Sequence, residues 1–88
     1  MLTASFNGSV RAENFRHLQD LVTGWGARLE ASLIPAEEPS LVELVNCRLE
    51  YDDKNHPNTP RMSLSVDDFW RGLLGQCKRY GLEAVEVP

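Results

Sequence analysis

Cationic residues are scarce in this 88-residue chain, in which nine Lys and Arg stand against 13 Asp and Glu for a net charge of −4. Sequence-independent binding to nucleic acid depends on a surplus of cations, which displace the counterions of the phosphates. The aromatic, basic signature of RNA-recognition modules is also missing from the sequence. We therefore expect no direct nucleic-acid partner and, if there is a partner, one with a basic surface.

Long apolar runs are missing as well. Every hydrophobic stretch is broken by charge well before the roughly 20 residues that a membrane-spanning helix needs. The first six residues, MLTASF, do not combine a basic region with an apolar one, as a signal peptide would. The sequence thus predicts no membrane contact and a cytoplasmic location.

Cysteine is represented only by Cys47 and Cys77. Two are too few for a disulfide scaffold, and they lack the close spacing of a zinc or redox pair, so free buried thiols are predicted. The loop 52–60 is rich in oxygen donors, but it lacks the glycine and glutamate spacing of an EF-hand calcium loop. No metal and no cofactor are predicted.

The composition, 42% hydrophobic and 25% charged, is typical of a globular chain, and the length suits one domain spanning residues 1–88. Alternation of apolar and polar residues predicts strands at 2–6, 27–34, 41–51 and 82–87, with a short strand at 61–64. In the last of the long strands, Val85 and Val87 are expected to face the core. Apolar residues at helical spacing predict helices at about 11–24 and from Ser65 to Gly81.

The ends of the helices have their own signals. Ser9 or Asn14 is expected to cap the first helix, and Gly24 or Gly26 to end it in the left-handed conformation. Asn7-Gly8 is a strong hairpin signal, so residues 9–13 have two interpretations, a second strand or the start of the helix; we favour the helix. Ser65 and Asp68 have the spacing of a capping box.

This order of elements predicts an α+β fold: a two-layer sandwich with a mixed sheet of four to five strands and two helices on one face. A mixed sheet is expected because a helical crossover usually returns the chain to a parallel neighbour. The order resembles the ferredoxin-like split βαβ plan or a related topology. That resemblance rests on element order alone and implies no activity.

Catalytic constellations are not evident. His17 lies beside the apolar stripe of the first helix with no Ser or Cys at a motif spacing, and His56 lies in a polar loop, where a turn role is expected. Asp67 and Asp68 are explained by the start of the second helix. The sequence therefore predicts a protein that is not an enzyme.

The remaining hypothesis is a small acidic protein-binding module, an inhibitor of the immunity, antitoxin or phage anti-defence type. It would act by surface complementarity to another protein. We expect partner contacts from the acidic loops, at Glu37, Glu38, Asp52 and Asp53, because both loops should project from the ends of the sheet. Trp70 is added because it neighbours Phe69 on the second helix and Trp is enriched at binding hot spots.

Two alternatives remain open. The first is a homodimeric, ACT-like regulatory domain that pairs edge strands across a two-fold axis and binds a small ligand at the interface. The second is an enzyme whose site is completed by another chain, for which His17 and His56 would be the residues to test.

Overall fold

A computed structural model describes residues 1–56 and 65–86. Within these residues the two helices are α1, Ala12–Gly24, and α2, Val66–Arg79, and a single 3-10 turn covers Asp53–Asn55. The strands are β1 (Leu2–Asn7), β2 (Ser9–Arg11), β3 (Ala27–Pro35), β4 (Leu41–Tyr51) and β5 (Glu83–Glu86). The short strand predicted at 61–64 lies outside the described residues, as does Val87.

The strands form one sheet in which β4 lies between β3 on one side and β1 with β2 on the other, and β5 pairs with β1. Each of these pairings is antiparallel, so the prediction of a mixed sheet is wrong. The reason is that α1 connects β2 to a strand running in the same direction, but β4 inserts between the two. The two-layer α+β fold is confirmed, while the ferredoxin-like assignment stays a prediction.

The Asn7-Gly8 dipeptide does not make a hairpin. β1 and β2 both pair with the same side of β4, and the Leu44 amide donates to the Gly8 carbonyl across the break, at 3.0 Å. Residues 9–11 are thus a strand, contrary to the interpretation we favoured. The helix follows directly from Arg11, which makes no side-chain capping bond, so neither Ser9 nor Asn14 caps it.

The other helix ends agree with the sequence. Gly26 follows α1 with φ at +84°, and Gly81 follows α2 with φ at +90°. The Ser65 hydroxyl accepts a hydrogen bond from the Asp68 amide at 3.1 Å, which confirms the predicted N-cap.

The core lies between the sheet and the helices. A single cluster of buried residues draws on Phe15, Leu18 and Val22 of α1 and on Phe69, Trp70, Leu73 and Cys77 of α2. On the sheet side, the second half of β4 contributes alternate residues to this cluster: Cys47, Leu49 and Tyr51. The opposite face of the sheet carries exposed polar residues such as Arg28 and Arg48, so both helices cover one face.

An extra residue in β4 changes which side chains face this core. Asn46 has φ at +55°, and the pairing of β4 with β3 shifts register at this point. Two residues of β4 there oppose one residue of β3, which defines a β-bulge. The bulge reverses the alternation, so Leu44 is buried at 4% exposure and Val45 is only half-buried, contrary to the continuous alternation that the sequence predicts.

A second irregularity explains Val85. Ala84 pairs with Phe6 and Glu86 with Ser5, so β5 has one residue more than β1 between these pairs. Val85 is that residue and is 60% exposed, so the prediction that it faces inward is wrong.

In the described residues, no helix is long and apolar enough to cross a membrane.

The Asn46 bulge yields a stability prediction. Asn46→Val should lower the free energy of unfolding by roughly 1–3 kcal/mol, because a β-branched residue is strained in the left-handed region. Asn46→Gly should stay within about 1 kcal/mol of the native chain, because glycine adopts that conformation without strain. Urea denaturation followed by circular dichroism measures both, and equal losses in the two variants would contradict the assignment of strain at this residue.

Candidate partner-binding surface

The two acidic loops singled out in the sequence lie at opposite ends of the sheet. Glu37 and Glu38 lie in the connection between β3 and β4, and Asp52 and Asp53 immediately follow β4. An 11-residue strand separates the two pairs, which is roughly 36 Å at about 3.3 Å per residue. The four carboxylates therefore cannot form one contact patch.

Asp52 and Asp53 both make contacts within the chain. The Asp52 carboxylate accepts from the Lys54 amide at 3.1 Å and from the Asn55 side chain at 3.2 Å, which caps the 3-10 turn. The Asp53 carboxylate lies 3.0 Å from the amino group of Met1, and the hydrogen bond from that amine lowers the pKa of Asp53. These contacts give both side chains a structural role within the chain.

Trp70 is not available to a partner. Its side chain is 7% exposed and belongs to the core, next to Phe69 at 6%, so the helix stripe is wide enough to bury both. The prediction that Trp70 contacts a partner is therefore not supported by its position in the core. The exposed indole belongs to Trp25, at 38%, whose ring centroid lies 6.0 Å from that of Phe69.

The Glu37-Glu38 pair lies at the tip of a structure that we call the arm, residues 32–45, formed by the distal half of β3, the connection 36–40 and the first half of β4. The connection is closed by two backbone hydrogen bonds, from Ala36 to the Leu41 carbonyl and from Leu41 to the Glu38 carbonyl. The Ser40 hydroxyl also donates to the Glu38 carboxylate, at 3.3 Å. Both glutamates are exposed.

Among the described strands, none pairs with the β3 side of the arm. On the other side of β4, β2 pairs with residues 41–43, and Arg11 of β2 lies opposite Leu41. The exposed part of the arm is therefore its β3 half, where all residues from 32 to 35 are exposed. Leu33 and Ile34 stand out among them, each with 46% of its surface open.

These two side chains lie on opposite faces of the arm. Leu33 pairs with the core residue Leu44, and Ile34 pairs with the exposed Glu43. Residues directly opposite each other in a sheet share a face, so Leu33 is on the helix side and Ile34 on the other. Val42 and Val45 are half-buried and extend the apolar surface, Val42 toward the tip on the face of Leu33 and Val45 toward the body of the domain on the face of Ile34.

All charged residues of the arm are acidic. Its residues include Glu37, Glu38 and Glu43 and no Lys or Arg. Apolar and anionic groups therefore share one exposed surface. Sequence reasoning identified the two tip glutamates but missed Leu33 and Ile34, although the run Leu33-Ile34-Pro35 signals apolar residues on both faces of the strand.

Tyr51 and His56, two groups suited to catalysis, are engaged in packing. The Tyr51 hydroxyl and His56 Nδ1 share a hydrogen bond of 2.7 Å, and the His56 ring meets Phe69 edge-on at 5.5 Å between centroids. Burial raises the pKa of Tyr51, and the carboxylates of Asp52 and Asp53 raise it further. His17 is exposed on α1.

Both cysteines are free and buried, as predicted. Burial raises the pKa of Cys47 to about 11 and that of Cys77 to about 12, so both thiols keep their protons at neutral pH and are poor nucleophiles. Among the residues that the structure describes, no three His, Cys, Asp or Glu side chains are grouped to hold a metal ion.

Comparison of the chain with models of protein families, with the sequences of curated proteins and with solved structures finds no match in any of the three.

Proposed function

We propose that this chain is a small non-catalytic protein-binding module of the cytoplasm that binds the basic surface of another protein through its arm, residues 32–45. It acts as an inhibitor of the immunity, antitoxin or phage anti-defence type. The observation that carries the proposal is the exposure of Leu33 and Ile34, 46% each, on a segment whose charged residues are all glutamates.

The chemistry of the arm favours a protein over other ligands. Phosphates of a nucleic acid would be repelled by Glu37, Glu38 and Glu43, since binding them needs cations. Protein interfaces typically combine an apolar centre with a polar rim. Leu33 and Ile34 supply the apolar part and the tip glutamates the rim.

The same charge supports inhibition. An anionic projection is attracted by the field of a basic cleft, which raises the rate of association and excludes anionic ligands from that cleft. Many enzymes that act on nucleic acids have clefts of this kind, and they are the class of target that fits.

Charge reversal at the tip tests the proposal. The tagged chain is used to capture proteins from its native host, and the recovered protein is then purified and titrated against variants. Glu37→Lys with Glu38→Lys should weaken its binding by at least about tenfold, because electrostatic steering alone changes association rates by 10-fold or more.

The matched control is Asp20→Lys with Glu83→Lys, which changes the net charge by the same amount at exposed residues of α1 and β5. It should bind like the native chain. Equal weakening by both variants, or none in the tip variant, would show that the arm is not the contact surface. Circular dichroism confirms that each variant is folded.

A further inference from the structure

Within residues 1–56 and 65–86, no strand pairs with the outer edge of β3 along the arm. Among the described strands, β3 pairs only with β4, through the register from Ala27 opposite Tyr51 to Pro35 opposite Val42. In an antiparallel pair, successive residues direct their backbone groups alternately toward the neighbour and away from it. Half of the residues of β3 therefore present N–H and C=O groups to the outside of the sheet.

Two hydrogen bonds identify which half. The Gln19 side chain of α1 donates to the Leu29 carbonyl at 3.0 Å, so the backbone of Leu29 faces away from β4. The Ala36 amide donates to the Leu41 carbonyl, so Ala36 faces toward it. The extra residue of the bulge lies on β4 and not on β3, so the alternation in β3 is unbroken. The two hydrogen bonds therefore both indicate that the backbone N–H and C=O groups of the odd-numbered residues 29–35 face outward.

In the part of the chain that the structure describes, the edge is protected at both of its ends, and no strand covers it between them. Gln19 covers the Leu29 carbonyl, and Pro35 has no N–H to offer. Side-chain cover and proline are common devices against unwanted pairing of edge strands. Between these two positions, Ala31 and Leu33 carry outward-facing N–H and C=O groups, and Leu33 is flanked by exposed surface.

We infer that the partner adds a strand to this edge, centred on Leu33. The inference rests on the proposed function and specifies how the partner binds. Strand addition supplies affinity through main-chain hydrogen bonds and selectivity through alternate side chains. The two faces of the arm determine those side chains. Apolar residues lie beside Leu33 on the helix side. On the other face, Lys or Arg residues reach past Ile34 to Glu43, one strand further in, and toward the tip glutamates. The occupant is thus an extended segment in which apolar and basic residues alternate.

A synthetic nine-residue peptide of alternating valine and lysine is the probe. We expect it to bind the native chain and to slow hydrogen exchange at the Leu33 amide, because that N–H then donates to the peptide. A peptide of the same composition with its valines and lysines in two separate blocks should bind at least about tenfold more weakly, since it cannot present the alternation.

Leu33→Pro is the decisive variant. It removes an N–H that points out of the sheet and leaves the ladder to β4 intact, so the fold should persist. Binding of the alternating peptide should fall at least about tenfold, the effect of one or two lost hydrogen bonds. Leu33→Ala keeps the N–H and should lose less. Ala31→Pro, at the neighbouring outward position, replaces Leu33→Pro if that variant does not fold.

Three results would overturn strand addition. The first is binding of the alternating and block peptides with equal affinity. The second is binding that Leu33→Pro leaves intact while Glu37→Lys with Glu38→Lys abolishes it; in that case the arm still binds a basic partner, and only its mode is wrong. The third is a dimer of the free chain in sedimentation that Leu33→Pro dissociates, since the edge would then belong to a second copy.

Discussion

Leu49→Ala should lower the free energy of unfolding by about 3–5 kcal/mol, the usual cost of removing a fully buried leucine side chain and leaving a cavity. Leu49 has no exposed surface and lies on the central strand, opposite Ala4 on one side and Leu29 on the other. A loss of this size approaches the entire stability of a small domain, which is roughly 5–15 kcal/mol. Urea denaturation followed by circular dichroism measures the change.

Leu33→Ala is the matched control, because it removes the same atoms from a side chain that is 46% exposed. Its effect should stay within about 1 kcal/mol, as for most surface substitutions. If the two variants lost equal stability, Leu33 would be a core residue and the arm would not be an exposed surface.

The second large effect is a fall in stability at alkaline pH caused by the buried thiols. Burial raises the pKa of Cys47 from 9.0 to about 11 and that of Cys77 from 9.0 to about 12. In the unfolded chain both thiols ionise at lower pH than in the folded one. The folded state therefore holds protons that the unfolded state has lost, so the stabilisation is complete below pH 9 and is lost as the pH rises toward 11 to 12.

Each thiol contributes about 1.4 kcal/mol per unit of pKa difference, so the two together should lower the free energy of unfolding by roughly 2–3 kcal/mol between pH 8 and pH 10. The variant Cys47→Ala with Cys77→Ala is less stable at neutral pH but should lack this part of the slope. Urea midpoints measured at several pH values compare the two proteins. Parallel pH profiles would show that the thiols are not held protonated by burial.

The elements with strong local signals were predictable from the sequence. The apolar period of α2, its Ser65 cap and Gly81 at its end all agree with the structure, because each depends on contacts within a few residues. β4 was predicted with its observed bounds, Leu41–Tyr51, for the same reason. The pairing of strands depends on contacts distant in sequence, and there the prediction of a mixed sheet failed.

At three positions an irregular backbone made the structure differ from what the sequence pattern predicts. Asn46 reverses the alternation of β4, Val85 is extruded from β5, and Asn7-Gly8 interrupts a strand without turning it. Each depends on the register with a neighbouring strand, which the local sequence does not specify. The two faces of a strand can be assigned from alternation only where such bulges are absent.

Only the acidic part of the candidate surface could be predicted from the sequence. Glu37 and Glu38 were identified because two prolines and two acids mark a polar connection. The importance of Leu33 and Ile34 depends on their exposure in the folded chain, which the local sequence does not specify. Trp70 was misassigned because the width of the apolar stripe on α2 depends on what packs against it.

Photochemical cross-linking from the arm in cells of the native host tests whether the arm is the contact surface. A benzoylphenylalanine residue replaces Ile34 in one variant and His17, an exposed residue of α1, in the other. We expect one discrete adduct with a second protein from position 34 and none from position 17. The same adducts from both positions, or none from position 34, would contradict this expectation.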